Sequence, residues 1–315
     1  MDVFVGIDVS KGGLAVGVRP SGERREFGNE EEGIAELVRW LKGEGPALVV
    51  LEATGGYERG VTIALHEAGV PVRVANPMHV RSFARATGHL AKTDPIDAAV
   101  LAHYAESCRP QVRQIPDAQT REMADLLARR RQLIEMRTAE KQRLGMSSAS
   151  VKRRIEAHVS WLNREIGKVQ DDLDDWIRRS PIYRELSEQL QTVPGVGKQT
   201  LLTLVLNLPE LGRLNRKQIA ALAGLAPMNR DSGKSHRPRM VFGGRAAVRA
   251  VLYMAAGVAR THNPIFRAFH ASLLARGKKK KVALVACARR LLTILNAMAR
   301  TGSRWNPALA EARPC

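Results

Sequence analysis

The sequence predicts an α/β domain, then long helices, then a mainly helical and strongly basic C-terminal part. Three observations carry this prediction. Short apolar runs alternate with helix-spaced segments over residues 3–75. From Asp117 to Ser180 there is no proline, and glycine occurs only at 145 and 167. Charge is unevenly spread: Lys/Arg against Asp/Glu number 12 to 15 over residues 1–110, 14 to 11 over 111–178 and 24 to 5 over 179–315. The boundaries expected are 1–110, 111–180 and 181–315.

The elements follow in order. VFVGI (3–7) is an apolar strand ending at Asp8, and LAVGV (14–18) is a second after the turn Lys11-Gly12-Gly13; residues 24–27 extend the meander. Residues 30–42 place Ile34, Leu37, Val38 and Leu41 on one helical face. ALVVL (47–51) is a buried strand ending at Glu52, and Thr54-Gly55-Gly56 opens a helix to about His66. VPVRVA (70–75) is a further strand, and Asn76-Pro77 starts the next helix. Residues 117–180 read as long helices, a helical hairpin or a coiled coil, with a break at Gly145–Ser148, forming either a compact bundle or a dimerisation arm. VPGVGK (193–198) opening a helix resembles a helix-hairpin-helix turn. Gly195, Gly197 and Lys198 are then candidates to hold a DNA phosphate; a plain turn between core helices is the alternative. The GxxxxGK[ST] spacing of a P-loop is absent. A basic loop or hairpin runs to Phe242, followed by helices at about 245–260, 264–275 and 279–300.

Composition narrows the function class. The net charge of +19, carried by the C-terminal part behind a slightly acidic first domain, points to phosphate backbones as partner. Aromatics make up 4%, too few for an extended base-stacking surface. No apolar run of membrane-spanning length and no signal peptide are expected. Cys108, Cys287 and Cys315 lie in no CxxC pattern, which fits a reducing compartment. Lys278, Lys279, Lys280 and Lys281 mark the start of the last helix and add candidate backbone contacts.

Four carboxylates share a positional logic. Asp8 and Glu52 end apolar strands, while Asp94 and Asp97 open a helix. Strand ends and helix starts converge on a crevice in open α/β sheets. Such oxygen ligands suit Mg²⁺ or Mn²⁺, and a pair of ions clamps the attacking and leaving oxygens of a phosphodiester. Each acid also has an ordinary reading. Asp8 precedes a turn, Glu52 precedes a helix start, and Asp94-Pro95-Ile96-Asp97 reads as Asp at N-cap, Pro at N1 and an acid at N3.

Three blocks, GIDVSK (6–11), EATGGYE (52–58) and KTDPIDA (92–98), resemble the signatures of the DEDD transposases of insertion-sequence family one-ten, which include the Piv/MooV invertases. GLAPMNRDSGKSHRPRMVFGGRAAVRAVLYMAA (224–256) resembles the family's C-terminal transposase block. The resemblance implies an RNase H-like first domain, of the Holliday-junction-resolvase kind, binding Mg²⁺ through Asp8, Glu52, Asp94 and Asp97. It implies a nucleophilic serine, Ser232 by its place in the motif. It further implies double-stranded donor and target DNA, a structured non-coding guide RNA, and dimers assembling to tetramers in a prokaryotic cytoplasm.

Chemistry allows that role for Ser232. A serine hydroxyl needs activation, and Asp231 and His236 are nearby acid/base candidates. Arg230, Lys234, Arg237 and Arg239 are candidates to hold phosphate oxygens and offset transition-state charge. Asp-Ser-Gly is also a common turn, and Ser235 is the nearest rival nucleophile. Two other functions fit the same residues: a junction-resolving nuclease using water, and a non-catalytic nucleic-acid-binding protein. A serine enzyme leaves a protein–DNA adduct, whereas a nuclease leaves free ends.

Overall fold

The computed structural model describes residues 1–89, 93–112, 115–229, 231–232, 235–236 and 239–308; at Ser232, Ser235 and His236 it describes backbone only. The chain divides into two compact units, Met1–Pro116 and Asp117–Cys315.

The first unit is built on a five-stranded sheet of order β3-β2-β1-β4-β5. Its strands are β1 (Phe4–Val9), β2 (Gly13–Arg19), β3 (Arg24–Gly28), β4 (Leu48–Glu52) and β5 (Val72–Ala75). β1, β2 and β3 form an antiparallel meander, and β1, β4 and β5 run parallel. Four helices cover the sheet: α1 (Glu31–Glu44), α2 (Glu58–Glu67), α3 (Pro77–Ala86) and α4 (Asp94–Cys108). The observed architecture is therefore the mixed α/β layer the sequence predicts.

Side-chain alternation sorts the two faces. Val5, Ile7 and Val9 of β1 join Val49 and Leu51 of β4 in a core with Leu37, Leu41, Val61 and Leu65 of α1 and α2. Phe4 of β1 joins Leu48 and Val50 of β4 in a second core with Val80 and Ala84 of α3 and Val100, Leu101 and Ala105 of α4. A strand flanked by apolar layers on both sides has no polar face to show. That explains why β1 and β4 read as continuous apolar runs. β3, RREFG, is the exposed edge, and its arginines suit an unpaired border.

The two units replace the divisions expected at 110 and 180, since α5 and α6 pack with the helices that follow, and two helix starts near the acids also differ from the sequence expectation. The N-cap of α4 is Thr93, with Asp94 at the first helical position, so Asp94 is not itself the cap. Helix α2 begins at Glu58; Thr54–Tyr57 form a turn ahead of it, because Gly55 and Gly56 take positive φ values that a helix does not use.

The second unit is helical. Helices α5 (Ala118–Leu144) and α6 (Ala149–Arg179) form the expected long pair broken at Gly145–Ser148. They pack as an antiparallel hairpin: Leu127 shares a cluster with Leu173, Leu133 with Leu162 and Ile166, and Arg137 donates to Asn163 at 3.0 Å. The hairpin base is anchored by Met123, Trp176, Leu202 and Leu206. Next come α7 (Pro181–Leu190), α8 (Lys198–Asn207) and α9 (Arg216–Leu222). Four two-residue strands follow: β6 (Pro227–Met228), β7 (Asp231–Ser232), β8 (Ser235–His236) and β9 (Met240–Val241). Helices α10 (Ala246–His262), α11 (Pro264–Ala275) and α12 (Lys280–Thr301) complete the unit. α12 has 22 residues and a long apolar stretch, so by length and composition it matches a membrane span. Its Ala283, Cys287, Leu291, Leu292 and Leu295 are fully buried in the core with α8 and α10, which accounts for the apolar character in a core helix.

Candidate active site

Helix α4 sets the site, and two glycines allow it to sit where it does. A side chain at Gly6 of β1 would place its Cβ 2.2 Å from the Ala102 amide nitrogen and 2.3 Å from the Ala98 carbonyl oxygen. Its cross-strand partner Gly17 leaves 3.0 Å to the Ala99 nitrogen in the same test. Backbone packs directly on backbone there, which only glycine permits.

The contacts also give the helix direction. Arg109, just past the end of α4, pairs with Asp2 at 3.3 Å and lies over the Phe4 ring. Leu101 and Ala105 share a cluster with Phe4, and Ala98 and Ala102 lie on Gly6. Moving along β1 from Asp2 to Gly6 therefore moves back along α4 from residue 109 to residue 98. Continuing to Asp8 leads to the helix start, where Asp94 and Asp97 stand. Spacings of three and four put Asp94, Asp97, Ala98 and Leu101 on one stripe of the helix.

Glu52 joins from β4. The parallel register pairs Ile7 with Leu51, so Asp8 and Glu52 occupy the next positions of adjacent strands. Both are half-buried, and both fall on the same face as Phe4, Gly6 and Val50, the face that α4 covers. All four acids thus stand at one end of one face. Asp8 lies within β1 rather than after it, opposite Ala15 of β2. Among the described residues no group of three or more His, Cys, Asp or Glu lies close enough together to hold one metal ion. The donor set itself is all carboxylate, the chemistry of a hard divalent cation.

One acid was missed by sequence reading. Glu58 reaches back from the first turn of α2 and accepts from the Gly56 amide at 2.8 Å, the Thr54 amide at 3.1 Å and the Thr54 hydroxyl at 3.1 Å. Burial pushes its carboxyl up, but the backbone and hydroxyl donors outweigh this and hold it below the usual 4.5. Glu58 thereby ties down the turn that immediately follows Glu52. The visible signal was an acid in a first helical turn behind a Gly-Gly pair.

The other candidates lie in the second unit. Ser232 pairs with Ser235, and Asp231 with His236, in the β7–β8 ladder. Outside it, β6 and β9 form a second ladder, Pro227 with Val241 and Met228 with Met240. Below both, the chain crosses itself: a Cβ on Gly244 would stand 2.2 Å from the Gly224 amide nitrogen. Arg245 donates to both Glu210 oxygens, at 2.5 and 2.7 Å, and to the Asn207 carbonyl at 2.8 Å. The segment carrying Ser232 is clamped at its root. Arg230, Lys234 and Arg237 lie outside the described residues; Arg239 is exposed just before β9.

In the VPGVGK turn, Gly195 has φ 101° and would meet Ala259 of α10 at 2.6 Å if it bore a Cβ, so packing requires a glycine there. Gly197 is the N-cap of α8 with open space around it. Lys198 is exposed and reaches Asp174 at 3.3 Å. Lys278, Lys279 and Lys280 are exposed between α11 and the first turn of α12.

Comparison with known proteins places this architecture. Residues 5–146 match a DEDD transposase family model, and residues 187–271 match the transposase family IS116/IS110/IS902. The "Pilin gene-inverting protein" of Moraxella bovis is 27% identical over 98% of this chain and 99% of its own. The "Transposase for insertion sequence element IS1111A" of Coxiella burnetii is 23% identical over 64% of this chain and 66% of its own. A solved structure, "T. thermophilus RuvC in complex with Holliday junction substrate", covers 34% of this chain and 96% of its own at 20% identity and a TM-score of 0.28. The protein is a DNA-recombining enzyme of the transposase class. It belongs to the IS110 transposase family, with the DEDD domain first and the second transposase domain after it.

Proposed function

We propose that this chain is an RNA-guided transposase or site-specific recombinase that cuts and rejoins DNA through a serine-linked intermediate. The observation supporting it is the gathering of Asp8, Glu52, Asp94 and Asp97 at one end of one sheet face, in a family of DNA-recombining enzymes. The first unit is RNase H-like in this reading. An all-carboxylate set at one end of a sheet face is the donor chemistry that suits a hard divalent cation. A bound Mg²⁺ or Mn²⁺ would polarise the scissile phosphate.

The chain's own groups do the rest. The Ser232 hydroxyl gives up its proton, to Asp231 or His236 acting as base, and its oxygen attacks the scissile phosphorus. The bond from phosphorus to a sugar oxygen breaks, and that oxygen takes up a proton. A serine phosphodiester results, which keeps the energy of the broken bond. A second sugar hydroxyl then displaces the serine oxygen, which regains its proton, and the strands are rejoined. Arg239 and its basic neighbours Arg230, Lys234 and Arg237 hold the phosphate oxygens. A structured guide RNA selects the sites, the basic C-terminal part grips nucleic-acid backbones, and dimers or tetramers align the strands in a prokaryotic cytoplasm. Gene inversion, the act named for the Moraxella relative, is the same chemistry on two sites of one molecule.

Ser232→Ala is expected to keep DNA and RNA binding and to abolish covalent protein–DNA adducts and joined products. Recombination by Ser232→Ala would rule out the serine mechanism. Free ends without adducts from the unaltered protein would favour the water-using nuclease.

A further inference from the structure

A second site lies away from these candidates, within the second unit, between the start of α9 and the C-terminal half of α12. A cavity of about 640 Å³ opens there, and among the described residues no carboxylate lines it. Six cationic side chains do, among them Arg216, Lys217, Arg289 and Arg304. Arg300 is committed elsewhere: its guanidinium donates to the Gly212 carbonyl at 3.1 Å and to the Leu214 carbonyl. Asn296 holds the same loop, accepting from the Gly212 amide at 2.8 Å and donating to Leu214 at 2.9 Å. These bonds fix the cavity wall. Arg216, Lys217, Arg289 and Arg304 make no ion pair or hydrogen bond among the described residues. Arg216, Lys217 and Arg304 are exposed and Arg289 half-buried. Trp305, half-buried against the core, also lines the cavity, and its backbone is pinned by the Thr192 hydroxyl at 2.9 Å.

Four like charges round one hollow repel each other, and among the described residues no carboxylate pairs with them. A polyanion would. The half-buried Trp305 indole beside them adds an aromatic surface for a base, which a duplex cannot offer without unstacking. We propose that this cavity binds a single-stranded polynucleotide segment, its phosphates held by Arg216, Lys217, Arg289 and Arg304 and one unpaired base stacked on Trp305. The inference rests on the nucleic-acid reading above but not on the serine or carboxylate chemistry. RNA and DNA strands share this chemistry; the test separates them.

The test measures binding of labelled twelve-nucleotide RNA, DNA and abasic DNA strands to the full-length protein across a salt series. Arg216→Ser/Lys217→Ser/Arg289→Ser is expected to lose at least tenfold in affinity and to lower the salt slope by about two. Whichever of RNA and DNA loses more is the natural strand. A matched triple on α6, Lys152→Ser/Arg153→Ser/Arg154→Ser, is expected to lose far less. Trp305→Leu keeps an apolar packing group and is expected to weaken base-bearing strands roughly tenfold while leaving the abasic strand unchanged. Removing like charges should not lower Tm, so a folded charge triple remains informative even if Trp305→Leu unfolds. Equal losses from the two triples, or no loss from the cavity triple, would overturn the inference. Cavity-dependent binding alongside a recombining Ser232→Ala protein would overturn the serine mechanism and leave this site standing.

Discussion

The two units hold their chemistry-bearing residues by different means. In the first, sheet register does the work: Asp8 and Glu52 are fixed by the pairing of β1 with β4, and Asp94 and Asp97 by a helix seated on Gly6 and Gly17. In the second, Ser232 stands on a two-residue strand, and precision comes from the root of the segment, where Gly224 and Gly244 cross and Arg245 grips Glu210. The first strategy yields a rigid acidic floor. The second positions a basic segment from its base.

Substitutions can break each half of this contrast separately. The largest effect on stability is expected from Gly6→Ala. Its Cβ would meet backbone of α4 rather than a flexible side-chain end, so overpacking should cost about 3 kcal/mol, read from urea unfolding. Wild-type stability in that variant would show that α4 is not seated as described. Arg245→Met comes next. It removes the Arg245 pair from a half-buried Glu210 and loosens the root of the Ser232 segment at a cost of about 2 kcal/mol. Strand exchange should fall at least tenfold while DNA affinity changes little. A parallel loss of both would mean that Arg245 serves binding rather than positioning.

The smallest effect sharpens the contrast through pH. Glu58 has a folded pKa below the usual 4.5, so its contribution is complete above that value and is lost as pH falls through the folded value. Glu58→Gln should therefore cost about 1 kcal/mol at pH 7 and flatten the acid limb of the stability profile. An unaltered acid limb would remove Glu58 as the group ordering the turn behind Glu52.

Much of this was legible in the sequence, for identifiable reasons. The α5–α6 break was visible because proline is absent from 117 to 180 and glycine falls at 145. β1 and β4 were visible because strands covered on both faces are apolar throughout. The shared end of the four acids was reachable from strand ends and helix starts. What escaped was long-range. No local pattern says that Gly6 touches Ala102, or that Gly224 passes Gly244, since each depends on a partner far along the chain. The cap of α4 slipped by one residue because Thr93 and Asp94 are both good cap formers, and local chemistry does not choose between them. Likewise the basic cavity joins residues 216–217, 289 and 304–305, which no motif links.

The seating of α4 has a practical meaning for anyone wishing to move these four acids into another protein. Gly6, Gly17, Ala98 and Ala102 leave no slack between strand and helix. The acids therefore cannot be transplanted as four side chains on a borrowed sheet. The smallest portable piece is the whole sandwich of β1, β2, β4 and α4, and the small residues between its layers would have to travel with the acids.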